Sequence, residues 1–285
     1  MDKGGCPKSC NRVGAFILNT DRFEPTMIRY TLLFFCIGAF FLSCQKEEVV
    51  PVCTPYEPPA GLDTYIYPLR PGTPEWVEIQ TGEEKYAVTQ IPDSVLQTIS
   101  TEGLLETWLT YPLLYNIIAW NTLQEGIDNI TEIFGGLQEL GRRPNAGTVM
   151  LNRYRQMDPH CANGLALGDE VGEFTLRFAF YKSIFAQEVF LHMLSASERG
   201  ELMDLVLDQY AVKASYSKEI YSFFSLKCST IIAARLMRLA GYTPFTEAIA
   251  QDDYLRVFVE KIELQGQAAS IETTIRHARI FNQQK

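Results

Sequence analysis

The sequence predicts an all-α protein, an antiparallel helical bundle or an irregular α–α array. Three observations carry that expectation. Apolar residues recur every three or four positions from Pro92 to the C-terminus. Strand patterns are nearly absent after Ile91. Ser, Thr, Pro and Gly stand where helices start and stop.

Taken in order, "WVEI" and "YAVTQI" around "TGEE" fit a hairpin, but Thr81 followed by Glu84 fits a capping box. A short helix from Gly82 is the reading adopted. "PDSVLQTIS" opens on a helix-start proline and an acid. "TEGLLETWLTY" takes Thr101 as its N-cap and stops before Pro112. "PLLYNIIAWNTLQEGIDNITEIF" carries Leu113, Ile117, Leu123, Ile127, Ile130 and Phe134 on one helical stripe, closed by Gly135 and Gly136. "GLQELGRRPNAG" reads as a short helix and turn, "AGTVMLNRYRQM" as a helix ending near Pro159, and "DPHCANGLALGD" as a loop.

The longest stripe is Phe174, Phe178, Tyr181, Phe185, Val189 and His192 in "GEFTLRFAFYKSIFAQEVFLHML", a single helix by its spacing. "SASERGELMDLVLDQYAVKAS" follows, with Ser197 as N-cap. "SKEIYSFFSLKCSTIIAARLMRLAGY" ends at Gly241 and Pro244. "TPFTEAIAQDD", "DYLRVFVEKIEL" and "AASIETTIRHARIF" complete the set. No motif repeats at fixed spacing, so a helical solenoid rests on analogy alone.

Before the helices the chain is organised differently. Residues 1–26 fit poorly ahead of an export signal, and Met27 is the better start. Residues 27–43 read as a signal peptide. Arg29 gives the positive start, and Tyr30 to Leu42 form an apolar run too short to span a bilayer, which takes about 20 residues. "FLSC" at 41–44 resembles the lipobox of bacterial lipoproteins, with Phe41 departing from the usual aliphatic residue. That resemblance implies cleavage before Cys44 and lipid (palmitate among its chains) on its sulfur. A plain cleaved signal, or a short uncleaved anchor, is the alternative. Residues 44–74, with seven prolines at 45–74, read as a tether, and residues 75–285 as the helical domain. Tyr and Ile of "DTYIYPL" are candidates to dock back onto it.

Composition narrows the partners. The chain has 34 acidic against 25 basic residues, and the leader holds five of the basic ones. So acidic a body repels phosphate backbones, which argues against nucleic acid. The partners expected are a membrane, through lipid on Cys44, and a protein or glycan. After Cys44 the cysteines are Cys53, Cys161 and Cys228. An export compartment permits a disulfide, but spacing cannot choose the pair. Cys228 reads as a buried free thiol.

The segments "IPDSVLQTISTEGLLETWLTYPLLYNIIAWNTLQEG", "GLQELGRRPNAG" and "AGYTPF" resemble a group of uncharacterised bacterial secreted lipoproteins, over about Trp76 to Phe245. The resemblance implies a shared helical architecture and brings no catalytic residue.

Candidate chemistry is sparse. Glu188 and His192 are four apart and share a helix face, as a metal or proton site requires, but no second histidine or third ligand accompanies them. A hydrogen-bonded core histidine is the commoner fate. His160 and Cys161 pair a base with a nucleophile, yet adjacent residues rarely aim at one atom. Arg142 and Arg143, after a helix end, suit a carboxylate or phosphate, and equally a helix C-terminal dipole. Trp108, Tyr111, Tyr115 and Trp120 could make a sugar-stacking platform or simply pack. No phosphate loop, nucleophile elbow, metal-ligand set or cofactor motif is present. The leading expectation is therefore a lipid-anchored, non-catalytic binding or scaffolding domain. The alternative is an envelope hydrolase with a site built across helices from Glu188, His192 and carboxylates such as Glu170 or Glu173.

Overall fold

Helices begin where a side-chain oxygen can take the first free backbone N–H groups, and the hydroxyls of Ser100, Thr122, Ser195 and Ser222 do so here. The computed structural model describes residues 53, 55–216, 220–263 and 268–284. Among them every regular element is a helix, so the chain is all-α. Helix α1 spans Pro74–Glu78 and α2 spans Gly82–Val88, opened by the Thr81/Glu84 capping box. Helix α3 (Asp93–Leu96) leads to α4 (Thr101–Leu109), whose N-cap is Ser100, one residue before the expected Thr101. The Ser100 hydroxyl accepts the Gly103 N–H at 2.9 Å.

The stripe from Leu113 to Phe134 is not one helix. A 3-10 turn at Leu114–Ala119 precedes α5 (Leu123–Ile133), because Thr122 accepts the Glu125 N–H at 3.2 Å and restarts the helix. Then come α6 (Gly135–Leu140), α7 (Ala146–Arg155) and a 3-10 turn at Pro159–Gly164. Helix α8 (Asp169–Phe185) is followed by a separate α9 (Glu188–Met193) and by α10 (Ala196–Ser215). The cap of α10 is Ser195, boxed with Glu198, in place of the expected Ser197. Helices α11 (Phe223–Leu239), α12 (Thr243–Gln251), α13 (Asp253–Lys261) and α14 (Ala268–Asn282) close the described chain.

Helix α11 is the axis of the packing. It touches α8, α10 and α14 along much of its length. Cys228, Ser229, Ala233 and Ala234 are fully buried on it, small enough to let those neighbours approach. Its one deeply buried arginine, Arg235, ties three elements together. The guanidinium donates to Ala186 O at the end of α8, to Val259 O near the end of α13, and to Gln124 Oε1 on α5, at 3.3, 3.3 and 2.6 Å. Burial pulls its pKa down to about 10. Two helix C-termini thus receive one cation, as their exposed carbonyls favour.

This clamp explains why the Phe174–His192 stripe breaks. Gln187 donates from its side chain to Ser183 O at 2.8 Å while Arg235 takes Ala186 O, so α8 ends at Phe185. Phe178, Tyr181 and Phe185 are buried as the spacing predicts, but Val189 is 47% exposed and His192 is exposed on α9. His192 is therefore not a core histidine.

The boundary at residue 75 also moves. From Val52 onward the chain forms one compact unit. Residues 55–73 lie on the helices as a strap instead of a free tether. Tyr67 is buried and its ring meets Tyr111 at 5.8 Å. Ile66, the other docking candidate, is exposed. Cys53 is bonded to Cys161, which settles the open choice of cysteine pair, and Cys228 is a buried free thiol. The signal segment 27–43 and Cys44 lie outside the described residues. Among those described, no helix is long and apolar enough to cross a membrane.

Candidate functional site

The strap roofs a deep hollow. It is held by apposed polar groups along α4. Asp63 accepts the Ser100 N–H at 2.6 Å and also the Ser100 hydroxyl, which holds its carboxyl below the usual range. The Tyr65 N–H donates to Thr107 Oγ1 at 2.8 Å. Gly103 lets the strap come this close, since a Cβ there would lie 2.7 Å from Asp63 O. At the other end the disulfide fixes Cys53 to the 3-10 turn at Cys161. Between these anchorages the strap bridges a cleft of about 740 Å³, within the range of small-molecule sites.

The floor and walls come from α4, α7 and α8. Phe174, Phe178 and Tyr181 contribute the α8 wall, one or two turns apart on one face. Glu106 of α4 and Arg153 of α7 meet in the cleft at 2.7 Å, their side chains only 10% and 16% exposed. Burial raises the Glu106 pKa despite the arginine beside it, which pulls the other way. Desolvation outweighs the ion pair, as is usual for a pair out of water. Tyr56 of the strap closes over Arg153, its ring centroid 3.8 Å from the guanidinium carbon. Nearer the mouth, Arg177 pairs with Glu173 at 2.6 Å, Glu170 accepts the Ala166 N–H at 2.9 Å, and Asp158 accepts the His160 N–H at 2.9 Å. The cleft is thus more apolar than polar, its four carboxylates are engaged and stand against Arg70, Arg153 and Arg177, and Phe174 and Tyr56 are its partly exposed rings.

The structure distributes the sequence-derived candidates elsewhere. Glu188 is exposed, ion-paired with Arg238, and lines a shallower hollow with exposed Arg142. His192 is exposed on the same short helix. Glu170 and Glu173 line the strap cleft, so the four residues of the hydrolase alternative are not gathered in one pocket. Arg143 donates to Ile99 O and Leu96 O at 2.6 and 2.8 Å, around the end of α3. It serves the helix C-terminus. Trp108 and Tyr111 are core residues, whereas Tyr115 and Trp120 are exposed, so the four aromatics form no common platform. Cys161 is not a nucleophile, because its sulfur is bonded to Cys53. Cys53, Asp158 and Cys161 cluster within 4.8 Å, but disulfide sulfurs are not the thiolates a metal needs.

Sequence reasoning passed over Glu106, Arg153, Tyr56, Phe178 and Tyr181 as site residues. Glu106 and Lys182 did leave a signal: each is a charge inside an apolar helical run, "LLETWL" and "FAFYKSIF". Such charges are costly unless paired or put to use. The fold and site together define an all-α, disulfide-stapled body with a strap-roofed cleft. No family model, curated protein or solved structure matches the chain.

Proposed function

We propose that this is a lipid-anchored protein of the bacterial envelope whose helical body binds a neutral, hydroxyl-rich ligand, a glycan fragment, in the strap cleft without chemical change. The observation that carries the reading is the cleft itself. Tyr56 and Phe174 offer partly exposed rings, and the paired Glu106 and Arg153 offer acceptors and donors side by side. Sugar rings present apolar faces edged by hydroxyls, and that surface complements both.

The envelope assignment draws on the short apolar leader and the "FLSC" sequence before Cys44. The Cys53–Cys161 bond supports it, since structural disulfides persist where the surroundings are oxidising. Attachment at Cys44 gives the membrane as the fixed partner. Two experiments test the reading. Metabolic palmitate labelling should mark the wild-type chain and spare Cys44→Ala; equal label in both ends the anchor. Saturation-transfer NMR against a panel of neutral oligosaccharides should show contact that Tyr56→Ala and Phe174→Ala each weaken at least tenfold. Signals unchanged in both variants end the cleft reading.

A further inference from the structure

Behind the α8 wall lies a second chemical feature, independent of the ligand proposed above. Lys182 of α8 and Lys213 of α10 are both buried, at 0% and 1% exposure. Lys182 Nζ donates to Gln209 Oε1 at 2.9 Å and lies 3.3 Å from Ser229 Oγ. Lys213 Nζ lies 3.1 Å from the same Ser229 Oγ and 3.3 Å from Ser225 Oγ. The two amines thus share Ser229 Oγ as a common acceptor. Among the described residues no carboxylate is bonded to either. The remaining titratable neighbours are Tyr154, Tyr221, Lys227 and the Cys228 thiol.

Two ammonium ions in one dry enclosure repel each other and both lose hydration, so one amine is held neutral. Burial and the neighbouring Lys213 drive the Lys182 pKa well below the usual lysine range, while Lys213 is pushed down to about 8. A desolvated lysine beside another cation is the arrangement that makes an amine nucleophilic near neutrality. Ser229 is not the nucleophile, because its hydroxyl donates to Ser225 O at 2.9 Å and keeps its proton there. Cys228 is not either, since burial raises its thiol to about 11.

Phe178 lies between the cleft and the amines. Phe178 lines the strap cleft, and its ring centroid lies 5.7 Å from Lys182 Nζ and 5.4 Å from Lys213 Nζ. A rotamer change at Phe178 would connect the cleft to the amines. We propose that Lys182, Lys213, Ser225 and Ser229 form an amine site behind Phe178 that condenses with a small 2-oxo acid. The carboxylate of such a molecule meets the Lys213 ammonium and the serine hydroxyls, and its ketone meets Lys182. The Lys182 nitrogen lone pair forms a bond to the carbonyl carbon as the C=O π pair moves to oxygen. Lys213 gives that oxygen a proton. The first proton shed by nitrogen recharges Lys213, which then protonates the carbinolamine hydroxyl. That group leaves as water with the C–O bonding pair while the nitrogen lone pair closes the C=N bond, and the second nitrogen proton returns to Lys213. The products are a C=N imine and one water, with no change of oxidation state.

The test uses the full chain with pyruvate and cyanoborohydride at neutral pH, read by intact mass and peptide mapping. One reduced adduct per chain is expected, on Lys182, ahead of exposed Lys261. Phe178→Ala should raise the labelling rate several-fold, and Lys213→Met should lower it at least tenfold. Lys182→Met should remove the adduct while its thermal transition shows that it folds. Peptide mapping of the wild type decides the matter even where that variant fails to fold. Labelling that favours Lys261 over Lys182, or a folded Phe178→Ala chain without adduct on Lys182, overturns the proposal. Oligosaccharide binding in Lys182→Met reports separately on the cleft.

Discussion

Lys182 and Lys213 converge on a single hydroxyl, that of Ser229, at 3.3 and 3.1 Å. Their shared enclosure makes stability depend on pH in a defined direction. Both folded pKa values lie below the free-lysine value of 10.5, Lys213 at about 8. Between those values the unfolded chain binds more protons than the folded one, so stability rises with pH. The penalty is complete below the folded values and fades towards 10.5. Cys228 opposes this above pH 9, because its folded thiol holds its proton up to about 11. Urea unfolding should therefore show stability climbing from pH 8 to 9, by about 1 kcal/mol from Lys213 alone, with Lys182 adding in the same direction. Cys228→Ala should extend the climb, and Lys213→Met should flatten it.

Arg235 holds the ends of α8 and α13 and the Gln124 side chain of α5. Arg235→Met keeps much of the volume and strands two carbonyls in the interior. A loss of about 3 kcal/mol is expected by chemical denaturation, since buried polar groups without partners carry their full desolvation cost. Retention of wild-type stability would show that water or a neighbour takes over those carbonyls.

The Cys53–Cys161 bond closes a loop across 108 residues of sequence. Loops of that length restrict the unfolded chain strongly, and removal of a native disulfide typically costs about 2–4 kcal/mol. A reductant, or Cys53→Ser with Cys161→Ser, should lower the melting temperature of the body to the same extent. A reductant with no effect on the double variant is the internal check.

Gly103 is the position where helix α4 receives the strap. An added methyl would stand 2.7 Å from Asp63 O. Gly103→Ala should cost about 1–3 kcal/mol by overpacking and raise proteolysis of residues 55–70. Gly126 makes the same demand on α5, where a Cβ would meet Ile117 O at 2.0 Å. Gly126→Ala should be at least as damaging, while leaving strap proteolysis unchanged.

Much of the helical order is legible in the sequence because caps and periodicity are local. The Thr81/Glu84 box and the burial of Phe178, Tyr181 and Phe185 follow from spacing alone. What misleads is decided at a distance. Helix α8 stops at Phe185 because Arg235, 49 residues away from Ala186, takes its last carbonyl. With that stop, Val189 and His192 leave the stripe and the Glu188/His192 pair goes to the surface. The cleft is harder still. Tyr56 and Arg153 are nearly a hundred residues apart, and the chain between them shows no pattern that brings them together. Only the isolated charges, Glu106 and Lys182 inside apolar runs, mark their positions in advance.

The staple at Cys53 decides which end of the strap can let go. One end is tied covalently to Cys161, the other only by the bonds of Asp63 to Ser100 and of Tyr65 to Thr107. Under oxidising conditions the cleft therefore opens by hinging about Cys53, and reduction would turn a tethered flap into a loose one.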